Sequence, residues 1–290
     1  MREKLKKIAE ETLEIIEKGY YENKEGEKVY IAESLNYSID GTEVINPEEA
    51  EELRAQIRQK LAEPQGPEDI GFTQHIKVKN NSTLESAKEL YDKDFNNITV
   101  LNFASAINPG GGFLNGSQAQ EESLSRKTCL YATQICYGET YYMANKRIKS
   151  GLYTDHLIYS PSVPVIRDSS NNLLDSFWNV NIITSPAVNV GFLEKEEPEN
   201  LEKVDEFMRR RIEYILAVAV AKNTDALVLG AFGCGVFQND PDKIANIFAD
   251  LLLPDGTYSQ AFSAVDFAIL SNNEMSENYK AFKKVFAKWL

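Results

Sequence analysis

The feature of this sequence that most constrains its fold is a regular alternation of strand-like and helix-like segments, which begins near residue 72. The apolar runs TQHIKVKN, NITVLNFAS, DALVLGAF and SAVDFAIL have the length and composition of strands, and longer segments with helical periodicity lie between them. Strands that alternate with helices in this way favour a mostly parallel or mixed sheet between layers of helices. The sequence therefore predicts an α/β fold.

Local signals place further elements in the same part of the chain. DHLIYSPSVPVIRD and FWNVNIITSPA are predicted to be two strands, and Pro161 and Pro164 confine the first to a sheet edge or a bend, because proline cannot donate to a strand ladder. The predicted helices are STLESAKELYDK with Ser82 or Thr83 at its cap, a long helix from about Gln118 to Cys136, one over residues 200–222, PDKIANIFADLLL, and a closing helix near residues 276–288.

The first 70 residues have a different character. Residues 3–18 form an imperfect amphipathic helix that ends at Gly19, and Asn46 caps an acidic helix with Pro47 at its first position. Proline and glycine in EPQGPEDIG then interrupt the helical pattern. We predict that residues 1–70 are an N-terminal helical accessory segment packed on a core of residues 71–290, and that the two make a single structural unit.

Charge and hydropathy disfavour several classes of partner. The chain has 31 Lys and Arg against 44 Asp and Glu, and its net charge of −13 disfavours general binding of a nucleic-acid backbone. A local basic site around residues 209–211 stays open. No stretch approaches the roughly 18 apolar residues of a membrane span, and the charged start lacks the apolar region of a secretory signal. We expect no membrane partner, and a monomer.

The cysteines argue for a reducing compartment. Cys129, Cys136 and Cys234 are odd in number and lack paired spacing, so neither a disulfide framework nor a zinc cluster is predicted. Because a secretory signal is also missing from the start, we expect a cytoplasmic protein. The sequence offers no convincing metal site, and we expect no cofactor.

A glycine-rich loop follows the strand-like run NITVLNFAS. Gly110, Gly111 and Gly112 lie just beyond the strand's carboxyl end, where open α/β sheets bind their ligands. Glycine permits positive φ and lets backbone amides approach a ligand closely, because no Cβ intervenes. A simple tight turn would also explain these glycines. The loop is therefore a candidate ligand site that needs support from its surroundings.

Two adjacent glutamates follow this loop at a predicted helix start. Ser117 and Gln120 fit a capping box, which would begin the helix at Gln118 and place Glu121 and Glu122 in about its first turn. The helix dipole stabilises carboxylates there without any function. If Glu122 faces the glycine loop, however, it is placed for acid or base chemistry on a ligand bound there.

A second loop, GAFGCGVFQNDP, also leads from a strand into a helix. Its glycines Gly230, Gly233 and Gly235 would let backbone amides and the helix N-terminus hold a diphosphate without a cationic side chain. Phe237 could stack on a ribose or a base, although core packing is the commoner explanation for such a residue taken alone. Cys234 resembles a nucleophile at a strand-to-helix turn, but its only possible histidine bases are in strand-like runs, so cysteine hydrolysis is disfavoured.

Four blocks of the sequence together resemble one family. GGGFLNGSQAQEE resembles the signature of bacterial-type poly(ADP-ribose) glycohydrolases, and NNSTLESAKEL, VLNFASAINPGGG and LGAFGCGVFQNDP resemble other blocks of that family in the same order. The resemblance runs from about residue 1 to near the C-terminus. It implies a macrodomain-like three-layer α/β/α sandwich with a mixed central sheet, and an N-terminal accessory segment.

The resemblance also implies roles for individual residues. Glu122 matches the catalytic acid and base, and Glu121 matches the glutamate that orients the ribose hydroxyls at the scissile bond. The implied substrate-binding residues are Asn102, Asn108, Gly110, Gly111, Gly112 and Gln120 around the first loop, and Gly233, Cys234, Gly235, Val236 and Phe237 in the diphosphate loop, with Phe237 leaning on the distal ribose. Asn80 or Asn81 is a candidate for adenine recognition.

The expected activity is hydrolysis of the ribose–ribose O-glycosidic bond of poly(ADP-ribose), with release of ADP-ribose. Two alternatives stay open at the level of sequence. The same site could hydrolyse mono-ADP-ribose from an acceptor, or the chain could be an ADP-ribose-binding module whose glutamates only hold ribose hydroxyls. His75 and His156, the only histidines, are the bases that a cysteine hydrolase would require.

Overall fold

The computed structural model describes residues 1–63, 75–271 and 276–289. Its strands are β1 (Tyr20–Glu22), β2 (Lys28–Tyr30), β3 (Glu43–Ile45), β4 (His75–Lys79), β5 (Ile98–Phe103), β6 (Leu157–Arg167), β7 (Leu173–Ser185), β8 (Ala226–Leu229) and β9 (Ala264–Ala268). Its α-helices are α1 (Arg2–Lys18), α2 (Ala32–Asp40), α3 (Pro47–Ala62), α4 (Thr83–Tyr91), α5 (Gln120–Lys127), α6 (Leu130–Ile135), α7 (Met143–Ile148), α8 (Val190–Glu196), α9 (Val204–Ala221), α10 (Pro241–Leu252) and α11 (Glu277–Phe286). Two 3-10 segments (Phe113–Asn115 and Pro198–Lys203) and a π-helical turn (Gly138–Tyr142) complete the list.

Seven of these strands form one mixed sheet in the order β3-β6-β7-β5-β8-β9-β4, while β1 and β2 pair as a separate antiparallel hairpin. Strand β8 pairs parallel with β5 and with β9, and β9 pairs parallel with β4. Strand β6 pairs antiparallel with β3 and β7. The sheet is mixed because helices connect its parallel strands, whereas β6 and β7 are joined by a short turn. The predicted α/β class and mixed sheet are confirmed.

One compact unit consists of residues Met1–Ile45, Asn102–Ile148 and Leu157–Pro186. In it, helices α2, α5 and α6 pack on β6, and α1 packs on α5 and on the 3-10 segment Phe113–Asn115. Tyr141, Tyr142 and Ile158 form a buried apolar cluster. The order of chain segments in this unit brings the N-terminal helix against the loop that follows β5.

The second compact unit consists of residues Asn46–Leu101, Lys149–His156 and Ala187–Leu290. Helix α3 packs on α9, α4 packs on β8 and β9, and α10 packs on α11. Four buried phenylalanines from α10, β9 and α11 pack against one another, and the ring centroids of Phe267 and Phe286 are 4.6 Å apart. Such close aromatic packing supplies much of the apolar area that this unit buries.

Three helix ends follow the local signals of the sequence. Gly19 ends α1 in the left-handed conformation with φ +73°, which glycine adopts without steric cost. Asn46 caps α3 through a reciprocal capping box with Glu49, and Ser82 caps α4 in the same way. The predicted caps at these three positions are confirmed.

The long helix predicted from Gln118 to Cys136 is wrong, because the structure has two short helices, α5 and α6. Thr128 between them is extended and forms an antiparallel bridge with Val165, and Cys129 N–H donates to the Pro164 carbonyl at 3.0 Å. A tertiary hydrogen bond to β6 therefore replaces the helical bond of Cys129 N–H, whereas Thr128 N–H still donates to the Leu124 carbonyl at 2.9 Å and ends α5.

The two prolines of β6 cause a bend and do not make it an edge strand. Strand β6 lies between β3 and β7, and its register with β7 shifts between Ser160 and Val163. Ser162 inside this irregularity has φ +47°. Of the two predicted consequences of Pro161 and Pro164, the bend is the one observed.

The predicted boundary between residues 70 and 71 falls in residues 64–74, outside the described residues, so the two-part organisation stays a prediction. The first segment nevertheless contributes β3 to the main sheet. No helix within the described residues is long and apolar enough to cross a membrane. Across those same residues, no group of three or more His, Cys, Asp and Glu could hold a metal ion.

The basic run in α9 does not form a free cationic surface. Arg210 and Arg211 both pair with Asp155, and Arg209 pairs with Asp250. Arg211 is fully buried. Because all three guanidinium groups already have carboxylate partners, this run has a structural explanation.

Candidate functional site

The glycine loop after β5 is held in one conformation by its own backbone. Gly111 N–H donates to the Asn108 carbonyl at 3.0 Å, and Phe113 N–H donates to the Gly110 carbonyl at 3.1 Å. Gly110 and Gly111 have φ values of +64° and +58°, which side chains rarely tolerate. Gly111 also lies directly against the carboxyl groups of the following helix. The loop therefore needs glycine both for its turn and for close approach.

Helix α5 begins at Gln120, two residues later than predicted. Its N-cap is Ala119, which makes no side-chain cap, so the predicted capping box of Ser117 and Gln120 is wrong. Gln120 Oε1 instead accepts a hydrogen bond from Phe103 N–H at 2.8 Å. The glutamine side chain is thus used to fix the helix start to the end of β5, and Ser117 is left in the loop.

Glu122 lies in the first turn of α5 and faces the glycine loop. Its Oε1 accepts a hydrogen bond from Gly112 N–H at 2.9 Å. Its Oε2 is shielded from solvent and has no hydrogen-bond partner among the residues that the structure describes. One oxygen of the carboxyl group is therefore fixed by the loop backbone, and the other is buried without a hydrogen bond to the described residues.

Glu121 is almost completely buried, at 3% exposure, and accepts three hydrogen bonds. Its Oε1 accepts from Asn102 Nδ2 at 3.1 Å and Gln134 Nε2 at 2.9 Å, and its Oε2 accepts from Ser105 N–H at 2.6 Å. Burial raises the pKa of Glu121 to about 7, against the three donors, which lower it. The carboxyl group is therefore poised to change charge near neutral pH.

The residues predicted around the first loop are brought together. Asn102 is buried at the end of β5, and its Nδ2 also donates to Thr184 Oγ1 at 3.2 Å. Asn108 is exposed at the start of the loop, where its backbone N–H donates to Ser105 Oγ at 3.1 Å. The predicted acid, its neighbour and the glycines therefore share one small region with these asparagines.

Sequence reasoning missed Gln134 and Ser105. Gln134 in α6 is fully buried, and it contacts both the glycine loop and Glu121. A signal for it existed, since Gln134 interrupts the apolar run CLYATQI at a position one helical turn from the buried Leu130. A buried amide in such a run requires polar partners. Ser105 contacts Glu121 through its backbone N–H, which no side-chain pattern reveals.

The N-terminal helix supports the same loop from outside. Arg2 Nε donates to the Asn115 carbonyl at 2.8 Å. Asn115 N–H in turn donates to the Gly112 carbonyl at 3.0 Å, and Gly112 N–H donates to Glu122. Three successive hydrogen bonds therefore connect the first turn of α1 to the carboxyl group of Glu122.

The second glycine loop is built within the other compact unit. Gly233 has φ +78°, and a Cβ there would lie 2.5 Å from Ala187 Cβ and 2.6 Å from Asn239 Nδ2. Asn239 Nδ2 donates to the carbonyls of Val188 and Gly233 at 2.7 and 3.1 Å. This buried asparagine fixes the base of the loop, and glycine is required where the two approach.

The exposed tip of this loop presents unpaired backbone donors. Within the described part of the chain, the N–H groups of Gly235, Val236 and Phe237 have no protein acceptor. The Val236 side chain is 79% exposed. The N-terminus of the next helix, α10, has fewer free N–H groups for an anion than predicted, because the side chain of its cap Asp240 already accepts hydrogen bonds from Asp242 N–H and Lys243 N–H. The loop tip is therefore the better place for an anion than the helix N-terminus.

Phe237 is half-buried and has one aromatic neighbour. Its ring centroid lies 5.9 Å from that of Tyr153. Tyr153 has φ +55°, and its hydroxyl accepts from Asn189 Nδ2 at 3.3 Å. The Phe237 ring is thus held by its packing against Tyr153.

Cys234 lacks the features of a nucleophile. Burial raises the pKa of its thiol to about 12. Its Sγ donates to the Phe232 carbonyl at 3.6 Å, and neither histidine contacts it among the described residues. His156 Nδ1 pairs with Thr154 Oγ1, and burial lowers the pKa of that imidazole. The absence of a paired base agrees with the low expectation for cysteine hydrolysis.

The two asparagines considered for adenine recognition both have protein partners. Asn80 Oδ1 accepts from Ser271 N–H at 2.8 Å, and Asn81 Nδ2 donates to Glu89 Oε1 at 2.7 Å. Each amide retains further hydrogen-bonding capacity. A role for either residue in binding adenine stays a prediction.

Residues 9–168 match the family described as microbial-type PARG, catalytic domain, where PARG denotes poly(ADP-ribose) glycohydrolase. The chain is similar to the crystal structure of PARG from Thermomonospora curvata, with 37% identity, a TM-score of 0.90, and coverage of 98% of this chain and 100% of that chain. The same enzyme bound to the inhibitor ADP-HPD gives 37% identity and a TM-score of 0.88, covering 98% of this chain and 99% of that chain.

A second relative is more similar in sequence over a shorter part of the chain. PARG from Deinococcus radiodurans in complex with ADP-ribose has 40% identity and a TM-score of 0.79, covering 88% of this chain and 97% of that chain. Among curated proteins, none matches the chain significantly. The family match over residues 9–168 includes the first loop and both glutamates.

Proposed function

The chain belongs to the microbial-type poly(ADP-ribose) glycohydrolase family and is a glycohydrolase that acts on poly(ADP-ribose); we propose that it cleaves the ribose–ribose bond with Glu122 as general acid and base. The macrodomain-like fold of the family agrees with the mixed sheet and its flanking helices. The product would be ADP-ribose, the molecule that is bound in the Deinococcus radiodurans structure.

One observation carries the assignment of Glu122. Its Oε1 is fixed by Gly112 N–H at 2.9 Å, while its Oε2 has no partner within the described residues. A general acid must keep one geometry and still present a free oxygen to the atom that it protonates. Glu121 does not meet this requirement, because protein donors engage both of its oxygens.

The steps follow from this geometry. Protonated Glu122 donates its proton to the ribose oxygen that leaves, and the anomeric C–O bond breaks to give an oxocarbenium-like carbon. Water then attacks this carbon, and the Glu122 carboxylate accepts the proton that the water loses. The diphosphate of the substrate, bent toward the reacting ribose, would supply negative charge beside the cation. A second protein carboxylate is then not needed as a nucleophile.

The other residues would position the substrate. Glu121 and Asn102 would hold the ribose hydroxyls and the loop at the scissile bond, and the glycine loop with Asn108 would contact the distal ribose. The unpaired N–H groups of Gly235, Val236 and Phe237 support a diphosphate site at the second loop. The Phe237 ring would lean on the distal ribose.

We also propose that the protein acts as a monomer in the cytoplasm. Three cysteines without a disulfide agree with a reducing compartment. Light scattering of the purified chain would check the oligomeric state, and a dimer would contradict this part of the proposal. Fractionation of the source cells would check the compartment.

The function is tested by incubating the protein with labelled poly(ADP-ribose) and, separately, with mono-ADP-ribosylated protein. We expect free ADP-ribose from the polymer, and we expect Glu122→Gln to lower its release by about 100-fold or more while ADP-ribose still binds. Release only from the mono-ADP-ribosylated protein would favour an acceptor hydrolase. Tight binding without release by the unmodified chain would favour a binding module.

A further inference from the structure

The buried side chain of Gln134 connects the glycine loop after β5 with Glu121. Gln134 Oε1 accepts a hydrogen bond from Gly110 N–H at 2.9 Å, and its Nε2 donates to Glu121 Oε1 at 2.9 Å. Both ends of the amide are therefore used, one on the glycine loop and the other on the buried glutamate. Gln134 itself is fully buried, at 0% exposure.

Burial of the Gln134 amide costs folding free energy unless both of its hydrogen bonds form. Its helix α6 also buries Leu130, Ala132 and Thr133. A buried amide in such surroundings loses its hydration, and it is tolerated when its donor and acceptor are both satisfied. Thr133, beside it, bonds only to the Leu130 carbonyl and to Ser160 Oγ, away from the loop. Gln134 alone among these residues joins groups assigned to substrate binding.

We propose that Gln134 is a positioning residue for the glycohydrolase reaction, which holds Gly110 and the Glu121 carboxylate in one fixed relation. This inference rests on the proposed function of the loop and of Glu121. Through its acceptor, Gln134 keeps the Gly110 amide turned inward and fixes the start of the glycine loop. Through its donor, it stabilises the charged form of Glu121.

The charge on Glu121 depends on few neighbours. On its own helix it faces Glu122, whose charge raises the pKa of Glu121, and from the π-helical turn it faces the hydroxyl of Tyr142. Asn102, Ser105 and Gln134 donate hydrogen bonds that favour the carboxylate. If the Gln134 donor is removed, the pKa of Glu121 rises further, and Glu121 is protonated in a larger fraction of the molecules at neutral pH.

The test compares three variants by kinetics and by calorimetric titration with ADP-ribose between pH 5 and 9. Gln134→Leu removes both hydrogen bonds at similar volume. Gln134→Glu keeps an acceptor for Gly110 N–H but places a second carboxyl group beside Glu121. Thr133→Val is the matched control, since it removes buried hydrogen bonds from the same helix without touching the loop. Circular dichroism and thermal unfolding check that each variant is folded.

With Gln134→Leu we expect kcat/KM on poly(ADP-ribose) and the affinity for ADP-ribose to fall by about tenfold or more. The acid limb of both pH profiles should move to higher pH. Gln134→Glu should retain more affinity at high pH than Gln134→Leu and shift the acid limb further. The acid limb of the Thr133→Val profiles should lie at the same pH as that of the unmodified protein.

A purely structural role would lower activity equally at every pH and leave the acid limb in place, and this result would overturn the proposal. Equal losses in Gln134→Leu and Thr133→Val would overturn it as well. Failure of the proposed function is a separate outcome. In that case the unmodified protein releases no ADP-ribose from the polymer, while the calorimetric pH profiles still report whether Gln134 controls binding.

Discussion

Gly111 and Glu122 fit against each other with no room for a methyl group. A Cβ at Gly111 would lie 2.6 Å from Glu122 Oε1 and 3.0 Å from Glu121 Oε2. Real Cβ atoms do not approach oxygen this closely, so one of the partners would have to move. The absence of a Cβ at Gly111 therefore allows the Glu122 carboxyl group to lie against the loop.

We expect Gly111→Ala to lower kcat/KM by about 100-fold, because a displacement of the acid by about 1 Å has effects of this size. The positive φ should also cost about 1–2 kcal/mol of unfolding free energy. Gly26→Ala is the matched control, since Gly26 has φ +79° and nothing within 4 Å of its Cβ position. The Gly26→Ala variant should lose a similar amount of unfolding free energy and keep the activity of the unmodified protein. Equal activity in both variants would contradict the assigned role of Gly111.

Glu121 should make stability depend on pH between about 4.5 and 7. Burial raises its pKa from 4.5 to about 7 in the folded chain, so the folded state binds a proton more tightly than the unfolded state in this window. Its contribution to stability is therefore present below the unfolded pKa and is lost as the pH rises through about 7. Full loss corresponds to about 3 kcal/mol.

Urea unfolding of the unmodified protein and of Glu121→Gln at pH 4.5, 6, 7 and 8 measures this contribution. The glutamine variant does not titrate, so the stability of the unmodified protein relative to it should fall as the pH increases. Only the change with pH is diagnostic, because glutamine also alters the hydrogen bonds at this position. A constant difference between the two proteins at all four pH values would rule out the titration.

The three cysteines should react very differently with iodoacetamide at pH 8. Cys136 is exposed, whereas burial raises the pKa values of Cys129 and Cys234 to about 12. Thiolate is the reactive form, so Cys136 should be labelled at least about tenfold faster than the others, as followed by peptide mass spectrometry. Activity should survive this labelling. Rapid labelling of Cys234 with loss of activity would restore the cysteine-hydrolase hypothesis.

Asp155 should be important for stability through a buried guanidinium group. Arg211 is fully buried, and its Nη2 lies 2.8 Å from Asp155 Oδ1. Asp155→Asn would leave this cation without its counter-charge, and we expect a loss of about 3 kcal/mol in urea unfolding. Asp205→Asn is the control, because its partner Lys243 is exposed, and the loss there should stay below about 1 kcal/mol. Similar losses in both variants would contradict this account.

Local sequence signals predicted those parts of the fold that depend on local chemistry. Gly19, Asn46 and Ser82 act within one turn of their own helix, so their roles follow from residue type and spacing. The strands of the α/β core were predictable for a similar reason, since buried parallel strands are continuous apolar runs. Neither signal needs information about distant parts of the chain.

The errors arose where distant contacts decide the local structure. Thr128 forms a bridge with Val165 in β6, Cys129 N–H donates to the Pro164 carbonyl, and one predicted helix is thereby divided into two. Gln120 bonds to Phe103 N–H, and the expected capping box with Ser117 does not form. In both cases the local pattern was compatible with a helix, and a strand more than ten residues away in sequence supplied a better partner.

The candidate site was predictable in part. The resemblance of the sequence to the family pointed to Glu121, Glu122 and the glycines, and the structure places them together. The opposite environments of the two glutamates were not predictable, because adjacent residues on a helix differ in burial only through what packs against them. Gln134 was missed because it lies 24 residues beyond Gly110 and in a different helix.

The hydrogen bonds from Arg2 through Asn115 and Gly112 to Glu122 have a practical consequence for engineering. The first turn of α1 is thereby connected to the proposed active site, although Arg2 is more than 100 residues away from Asn115 in sequence. Purification tags, surface-charge redesign and stabilising libraries aimed at this turn should therefore be screened for turnover as well as for melting temperature. We expect gains in solubility made there to be accompanied by changes in catalytic rate.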